Sequence, residues 1–273
     1  MQFSHLHCHT QFSLLDGAAD IKKLFKKAKS DNMPAVAITD HGNMFGVFDF
    51  VAEGQKQGIK PIVGCEFYVV EDRHKKQFTK DSKDVRAHQL LLAKNANGYK
   101  NLIKLCSLGF IEGYYSKYPR IDKSLIVQYH QDLIATTCCI GASVPRAILK
   151  YGEAAGEKEF RWWLELFGDD YYIELQRHSL KQQEIVNEVL LRFAKKYNVK
   201  VICSNDSHYV DQEDWNAHDI LLCINTGDKK STPSAKDFDD ESPMPKGTRF
   251  AFNNDQFFFK TTAEMASLFH DLP

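Results

Sequence analysis

The chain has 273 residues, 43% of them hydrophobic and 26% charged, a composition typical of globular proteins with one large domain or two ordinary ones. Lys and Arg (35) balance Asp and Glu (36), so the net charge of -1 creates no global basic field, and any DNA contact must come from a local patch. No apolar run reaches the roughly 18 residues of a membrane span, the N-terminus lacks signal-peptide features, and the seven cysteines form no C-x-x-C pair. These features exclude membrane, secreted and zinc-finger proteins and indicate reduced thiols in the cytoplasm.

Short apolar runs alternate with helical patterns along the chain. The predicted strands are residues 3–9, 35–39, 61–70, 89–93, 133–137, 171–175 and 199–204. The first predicted helix begins near Ile21 with Asp20 as its N-cap, and the second ends near Gly58. Three further helices are predicted at residues 99–108, 153–167 and 182–196. Continuous apolar strands are typical of a parallel sheet that is covered on both faces, which leaves an open doubly wound sheet or a closed barrel. Because no phosphate-binding glycine motif follows a strand, we predict an α/β barrel of seven βα units.

Polar side chains gather where these strands end. His7 and His9 end the first strand, and Asp206 and His208 follow the seventh, each pair two residues apart so that its side chains point to the same side. The carboxyl ends of parallel barrel strands share one face, where barrel enzymes have their active sites. Imidazole, carboxylate and thiolate groups on one face are typical metal ligands. The remaining candidates are Asp16, His41, Glu66, His88 and one of the adjacent Cys138 and Cys139.

Each of these features also has a structural interpretation. A lone H-x-H is more often structural than a ligand pair, but two such pairs together with His41, Glu66 and His88 argue against coincidence. His5, Asp40 and His178 remain undecided between ligands and supporting groups, and His218 is interpreted as a surface or satisfied histidine. Nine candidate ligands are too many for one tetrahedral ion and suit two or three divalent ions. Mixed nitrogen, oxygen and sulfur donors favour Zn²⁺, with Mn²⁺ or Fe²⁺ as alternatives, over Mg²⁺.

Five motifs in order resemble one known family. HLHCHTQFSLLDGA, AVAITDHGNMFG, KPIVGCEFYV, HQLLLAKNANGYKNLIKL and SNDSHYV are similar to the polymerase and histidinol phosphatase (PHP) domain, most closely to those that open the alpha subunits of bacterial replicative DNA polymerase III. The resemblance covers nearly the whole chain and implies a single PHP domain over residues 1–273, with the distorted (β/α)7 TIM-like barrel at about 1–227 and an extension at about 228–273. Residues 228–247 are predicted as an exposed loop. By motif, the implied metal ligands are His7, His9, Asp16, His41, Glu66, His88, Cys139, Asp206 and His208.

The resemblance also implies a function. It indicates the N-terminal part of a DNA-directed DNA polymerase, in a fragment too short for the polymerase active site, with metal-dependent phosphodiester hydrolysis as a 3′→5′ proofreading exonuclease. Glu66 and Asp206 are then the expected catalytic carboxylates, as bridging ligands or general bases. The implied partners are DNA, the remaining polymerase domains, the sliding clamp, a proofreading subunit and the clamp loader. The alternatives are a non-catalytic metal-binding structural module and a histidinol-phosphatase-like phosphoesterase.

A possible DNA-binding loop lies between the fourth and fifth predicted strands. Residues 113–120 interleave aromatic and cationic side chains, the combination that single strands use for stacking and phosphate pairing. The candidate contacts are Tyr114, Tyr115, Lys117 and Arg120. An ordinary surface loop would have the same composition, so the pattern does not separate the two interpretations.

Overall fold

A computed structural model of the chain describes residues 2–79, 82–235 and 245–272. The chain divides into two compact units: unit 1 comprises Met1–Asp40, Phe45–Pro61 and Asn205–Pro273, and unit 2 comprises His41–Met44 and Ile62–Ser204. The predicted boundary near residue 227 lies inside unit 1. The assignment of the whole chain to a single domain stays a prediction.

Helices and strands alternate through the described residues. The helices are α1 Ile21–Ser30, α2 Val47–Gln57, α3 Ala96–Ile111, α4 Lys123–Tyr129, α5 Ser143–Tyr151, α6 Glu153–Phe167, α7 Lys181–Tyr197, α8 Trp215–Thr226 and α9 Thr262–Leu268. The strands are β1 Ala35–Ile38, β2 Lys60–Val70, β3 Ala87–Ala93, β4 Arg120–Asp122, β5 Leu133–Thr136, β6 Tyr171–Gln176 and β7 Val201–Ser204. The predicted α/β class is confirmed, whereas β4, α4, α5, α8 and α9 were not predicted.

Capping residues explain where α1 begins and where α2 ends. The Asp20 carboxylate accepts a hydrogen bond of 2.9 Å from the backbone N–H of Lys23, which satisfies one of the free donors at the start of α1. Gly58 follows α2 with φ 74°, a left-handed conformation that glycine adopts without steric cost. Both termini agree with the sequence prediction.

The first predicted strand, residues 3–9, forms only isolated bridges. His5 pairs with Val36 and Cys8 with Ser207, both in parallel orientation. The backbone N–H of Cys8 donates to the Thr39 hydroxyl at 2.8 Å and not to a ladder carbonyl, which interrupts regular pairing alongside β1. The segment is therefore extended, as predicted, without being a regular strand.

Unit 2 contains a sheet in the order β4-β2-β3-β5-β6-β7. The β2–β4, β5–β6 and β6–β7 pairs are parallel, but β3 is antiparallel to both β2 and β5. The expectation of a wholly parallel sheet is therefore wrong at β3. A parallel neighbour needs a crossover connection, usually a helix, and the described part of residues 71–86 contains none, so the chain reverses directly.

Aromatic side chains form much of the core of each unit. In unit 1, the Phe25 ring of α1 packs on the Phe50 ring of α2 with centroids 4.6 Å apart. In unit 2, the ring of Phe160 on α6 lies 5.3 Å from Tyr171 on β6 and 5.2 Å from Phe193 on α7. Burying such a side chain stabilises the fold by about 1.5–3 kcal/mol. These contacts pack α1 against α2 in unit 1 and α6 against β6 and α7 in unit 2.

Three further findings concern the chain as a whole. All seven cysteines are free thiols. Among the described residues, no helix combines the length and the apolar character needed to cross a membrane. Residues 236–244 of the predicted loop 228–247 lie outside the described residues, and its remaining part forms no helix or regular strand.

Gly98 provides a test of the packing around α3. A Cβ added there would lie 2.0 Å from the backbone oxygen of Asp132, which cannot turn away as a side chain could. We expect Gly98→Ala to lower the free energy of unfolding by about 1–3 kcal/mol or more, because overpacking forces the backbone to shift.

The measurement is thermal unfolding, with Gly109→Ala in the same helix as the control. The added Cβ at Gly109 would lie 3.3 Å from a methyl carbon of Ile121, a tight contact that opposes the gain of about 1 kcal/mol in helix propensity of alanine over glycine. The Tm should fall for Gly98→Ala and stay nearly constant for Gly109→Ala. Equal Tm values for the two variants would contradict this account.

Candidate metal centre

In unit 1, backbone pairing places two predicted histidine ligands opposite Asp206. The N–H of His9 donates to the carbonyl of Ser207 at 2.7 Å, and the N–H of Ser207 donates to the carbonyl of His7 at 3.3 Å. Because residues two apart project to the same side, both imidazoles face Asp206. Their Nε2 atoms lie 3.2 Å (His7) and 3.1 Å (His9) from Asp206 Oδ1. All three side chains are buried.

A buried hydrogen-bond relay orients His9. Its Nδ1 lies 2.9 Å from Ser13 Oγ, and the Ser13 hydroxyl donates to Asp40 Oδ1 at 2.8 Å. Since the hydroxyl proton is used on Asp40, the oxygen accepts from His9 Nδ1–H, and this network assigns the tautomer in which Nε2 carries a lone pair toward Asp206. Burial raises the pKa of the Asp40 carboxyl, while His9 and the hydrogen bonds from Thr10 and Ser13 act in the opposite direction. Asp40, undecided from the sequence, is therefore a supporting group.

Asp16 lies between two further imidazoles of unit 1. His208 Nδ1–H donates to the backbone carbonyl of Asp206 at 2.8 Å, which leaves its Nε2 as the lone-pair nitrogen, 3.9 Å from Asp16 Oδ2. The Nε2 of His218, on α8, lies 3.9 Å from Asp16 Oδ1. Burial, with repulsion from His9, lowers the pKa of His208 to about 3. His208 is therefore neutral at physiological pH, the form that binds metal.

In unit 2, Glu66 is the centre of a second cluster. The antiparallel register of β2 and β3 pairs Tyr68 with His88, so Glu66 and His88 lie diagonally on the same face of the sheet. His88 Nδ1 is 3.1 Å from Glu66 Oε1, and His41 Nδ1 is 3.1 Å from Glu66 Oε2. The two carboxylate oxygens thus face different imidazoles.

Both adjacent cysteines contact the same oxygen of Glu66. The Sγ atoms of Cys138 and Cys139 lie 3.3 and 3.4 Å from Oε1, and Cys139 Sγ is also 3.5 Å from His88 Nδ1. A hydrogen bond from Cys138 lowers the pKa of the Cys139 thiol to about 7 against the effect of burial, whereas burial raises the pKa of Cys138. Burial lowers the pKa of His88, but Glu66 and Cys139 outweigh it and raise that pKa well above its ordinary value. These contacts favour Cys139 as the more readily ionised thiol.

The donor atoms of both units fit a divalent ion in type and spacing. Two donors bound to one zinc ion at about 2.0–2.2 Å lie about 3–3.4 Å apart for angles between 90° and the tetrahedral value. The nitrogen–oxygen separations of 3.1–3.2 Å at Asp206 and Glu66 fall in this range. Nitrogen, oxygen and sulfur donors together suit Zn²⁺ better than Mg²⁺.

The sequence model of the PHP domain matches residues 5–178, which is more than half of the chain. The chain belongs to the PHP domain family. The resemblance inferred from the five motifs is thereby confirmed. In this PHP domain the matched residues include both the H-x-H segment of unit 1 and the Glu66 cluster of unit 2.

Relatives of this PHP domain are much longer proteins. It is 44% identical over 272 residues to the DNA polymerase III subunit alpha of Borreliella burgdorferi, covering 100% of this chain and 22% of that one. It is 41% identical over 271 residues to the same subunit of Thermus aquaticus, covering 98% and 21%. The chain thus spans about a fifth of the length of these relatives. A two-domain protein from Bacteroides vulgatus containing a predicted PHP-like metal-dependent phosphoesterase is a distant structural neighbour, with 15% identity and a TM-score of 0.41 over 83% of this chain and 55% of that one.

The predicted ligands divide between the two units of the PHP domain. Unit 1 contains His7, His9, Asp16, Asp206 and His208, and unit 2 contains His41, Glu66, His88 and Cys139. Each of the nine has a polar atom within 4 Å of another predicted ligand of its own unit. Their role as metal ligands, and that of Glu66 and Asp206 in catalysis, stays a prediction.

The two other undecided histidines, His5 and His178, make hydrogen bonds to residues that are not predicted ligands. His5 Nε2–H donates to the backbone carbonyl of Lys260 at 2.7 Å, and its ring packs on Phe259. The backbone N–H of His178 donates to the side chain of Gln183, and the His178 ring contacts the same side chain. The partners in these hydrogen bonds, Lys260 and Gln183, are not predicted metal ligands.

Sequence reasoning missed Ser13 and left two interpretations of His218 open. No local signal marks Ser13, because its role depends on a contact with Asp40, 27 residues away. His218, interpreted as a surface or satisfied histidine, is fully buried, which excludes the surface alternative. The available signal was its place four residues before Leu222 on the buried face of α8.

The predicted DNA-binding loop is corrected at Arg120. This side chain is fully buried, and its guanidinium group donates to Asp84 Oδ1 at 2.7 Å and to three backbone carbonyl groups. The ring of Tyr115 packs against it, 5.0 Å from the guanidinium carbon. A buried cation with these partners does not reach a phosphate. Tyr114 and Lys117 remain exposed.

Removal of the Ser13 hydroxyl tests the relay. Ser13→Ala leaves His9 Nδ1–H without its acceptor, so the ring and its tautomer are no longer held. Loss of such a supporting group typically weakens metal binding about 10–100-fold, and we expect a decrease of this size in Zn²⁺ affinity.

The affinity is measured by competition with a chromogenic chelator. Ser30→Ala, which changes an exposed serine at the end of α1, is the matched control and should bind Zn²⁺ as the unmodified chain does. If Ser13→Ala also binds with unchanged affinity, His9 is not oriented through this relay.

Proposed function

We propose that this PHP domain is a metal-dependent phosphoesterase that hydrolyses the terminal phosphodiester of a DNA strand in the 3′→5′ direction. The observation that carries the proposal is the convergence of His7 and His9 on Asp206, within a chain that is similar over its whole length to DNA polymerase III alpha subunits. The nine predicted ligands would hold two or three divalent ions, with Zn²⁺ favoured and Mn²⁺ or Fe²⁺ as alternatives.

The described side chains would supply defined chemistry for this reaction. Bound divalent ions lower the pKa of water and neutralise charge on phosphate oxygens. His9 presents Nε2 because Ser13 and Asp40 hold its other nitrogen. Asp206 Oδ1 lies 3.2 Å from His7 Nε2 and 3.1 Å from His9 Nε2, so one carboxylate oxygen faces both imidazoles. Asp206 and Glu66 are the two carboxylates proposed as bridging ligands or general bases.

The proposed setting is a replicative polymerase. Because the relatives that cover this chain are DNA polymerase III alpha subunits about five times as long, we assign polymerisation to a longer protein and hydrolysis to this domain. The proposed partners are DNA, the other polymerase domains, the sliding clamp, a proofreading subunit and the clamp loader. The free thiols are typical of a reducing compartment and support a cytoplasmic location.

A short hairpin supplies the proposed DNA contact. Tyr115 and Tyr118 exchange backbone hydrogen bonds of 3.0 and 2.9 Å across the two intervening residues, both of which have positive φ, as tight hairpin turns require. This turn leaves Lys117 in solvent, and the neighbouring Tyr114 is 49% exposed. The loop thus offers an exposed ring and a solvent-exposed cation, the two kinds of group that bind single strands by stacking and phosphate pairing.

Asp206 and His9 provide the test of hydrolysis. Asp206→Asn and His9→Ala should each reduce the 3′→5′ shortening of a 5′-labelled oligonucleotide by about 10²-fold or more, because each removes a donor from the cluster. EDTA should abolish the same activity in the unmodified chain. His270→Ala, which changes an exposed histidine after α9, is the control and should retain full activity.

The outcomes separate the candidate functions. Unchanged hydrolysis in both variants would identify a contaminating nuclease. Hydrolysis of a phosphomonoester but not of the oligonucleotide would favour the histidinol-phosphatase-like alternative. Full metal loading without activity on either substrate would support a structural module.

The hairpin is tested by a double substitution. Tyr114→Ala with Lys117→Ala should weaken single-strand binding about fivefold or more at low salt, since one stacked base contributes about 1–3 kcal/mol. Fluorescence anisotropy with a labelled oligonucleotide measures the affinity. Lys150→Ala with Tyr151→Ala removes an equivalent exposed pair from the end of α5 and should leave binding unchanged. Equal effects of the two double variants would exclude a specific role for the hairpin.

A further inference from the structure

The two adjacent cysteines point to the same place, which is unusual for neighbouring residues. Along an extended chain, successive side chains project to opposite sides. Cys138 and Cys139 follow β5 after one intervening residue, Thr137, yet both Sγ atoms lie 3.3–3.4 Å from Glu66 Oε1. Cys138 has φ 58°, and this left-handed conformation breaks the alternation and brings both thiols to Glu66.

A buried network holds Cys138 in this conformation. The backbone N–H of Cys138 donates to the Thr136 hydroxyl at 3.0 Å, and that hydroxyl donates to Glu174 Oε2 at 2.6 Å. A non-glycine residue in a sparsely populated backbone region costs about 1–3 kcal/mol and persists only where its surroundings enforce it. Glycine would adopt this turn without that cost, so packing and chain reversal alone do not require a cysteine here.

The position of Cys139 is fixed from the opposite side. The backbone N–H of His88 donates to the carbonyl of Gly141 at 2.9 Å. A Cβ added at Gly141 would lie 3.1 Å from His88 Nδ1 and 3.5 Å from Cys139 Sγ, so glycine permits this close approach. Cys139 is thereby held between His88 and Glu66.

We propose that Cys138 and Cys139 both bind one divalent ion as thiolates, together with Glu66, in a two-sulfur site. The proposal rests on the metal dependence proposed above and extends the ligand set, in which only Cys139 was predicted. The ligand atoms of the three residues all lie within 4.8 Å of one another, and all three side chains are buried. His88, in contact with both Cys139 and Glu66, is the candidate fourth ligand.

Two thiolates would make this part of unit 2 selective for a soft or borderline ion. Sulfur donors favour Zn²⁺ over Mg²⁺ or Mn²⁺, and ion binding displaces both thiol protons to solvent. In the competing arrangement, Cys138 keeps its proton and donates it in a hydrogen bond to the Cys139 thiolate, so that only one sulfur binds. The number of metal–sulfur bonds distinguishes the two arrangements.

The first measurement uses the unmodified chain loaded with Zn²⁺. Elemental analysis gives the zinc ions bound per chain, and X-ray absorption at the zinc edge gives the sulfur atoms at about 2.3 Å per zinc. The product is the number of zinc–sulfur bonds per chain. We expect two, and a value of one would overturn the proposal. Bound zinc without two sulfur ligands refutes only this inference, whereas a chain that binds no zinc refutes the proposed metal-dependent function as well.

Substitutions assign the sulfur atoms. Cys138→Ala and Cys139→Ala should each halve the zinc–sulfur signal and the thiolate-to-metal absorption of the Co²⁺-loaded chain, and the double variant should lose both. Cys223→Ala, which removes a buried thiol from α8 in unit 1, is the matched control and should leave both signals unchanged. A full sulfur signal in Cys138→Ala would overturn the proposal.

Discussion

Left-handed backbone just beyond the ends of two strands is the constraint that brings Asp206 to the cluster of unit 1 and Cys138 to the cluster of unit 2. Asp206, after β7, has φ 45°, and Cys138, after β5, has φ 58°. Each conformation costs about 1–3 kcal/mol and must be enforced by its surroundings. Paired backbone hydrogen bonds at Ser207 enforce it beside Asp206, and the Thr136 hydroxyl enforces it at Cys138. Strain of this kind positions side chains that regular strands would direct elsewhere.

A buried carboxylate that is not a predicted ligand supports each cluster. Asp40 in unit 1 accepts hydrogen bonds from the backbone and hydroxyl of Thr10 and from Ser13. Glu174 in unit 2 accepts hydrogen bonds from three side chains, which belong to Thr136, Gln176 and Ser204. Burying a charge without such partners would cost several kcal/mol. The hydrogen bonds to Asp40 and Glu174 therefore stabilise the positions of the candidate ligands. Removing one of these hydrogen bonds should disturb the ligand positions even when every ligand is unchanged.

The charge distribution limits how this domain can hold DNA. Its net charge is -1, and the cation expected at the centre of the loop, Arg120, serves the fold through Asp84. The proposed contact is then confined to Tyr114 and Lys117.

The amino-acid sequence by itself determined the α/β class, the PHP family and the residue types of the candidate ligands. The family follows from the resemblance of the five motifs, whereas the class and the residue types follow from local properties: strand and helix periodicity, capping at Asp20 and Gly58, and the two-residue spacing of His7 and His9. The tertiary structure alone decided that β3 runs antiparallel, that Arg120 is buried, that Ser13 and Asp40 orient His9, and that Cys138 joins Cys139 at Glu66. Each of these depends on contacts between distant segments or on one backbone angle, and neither composition nor spacing along the chain specifies them.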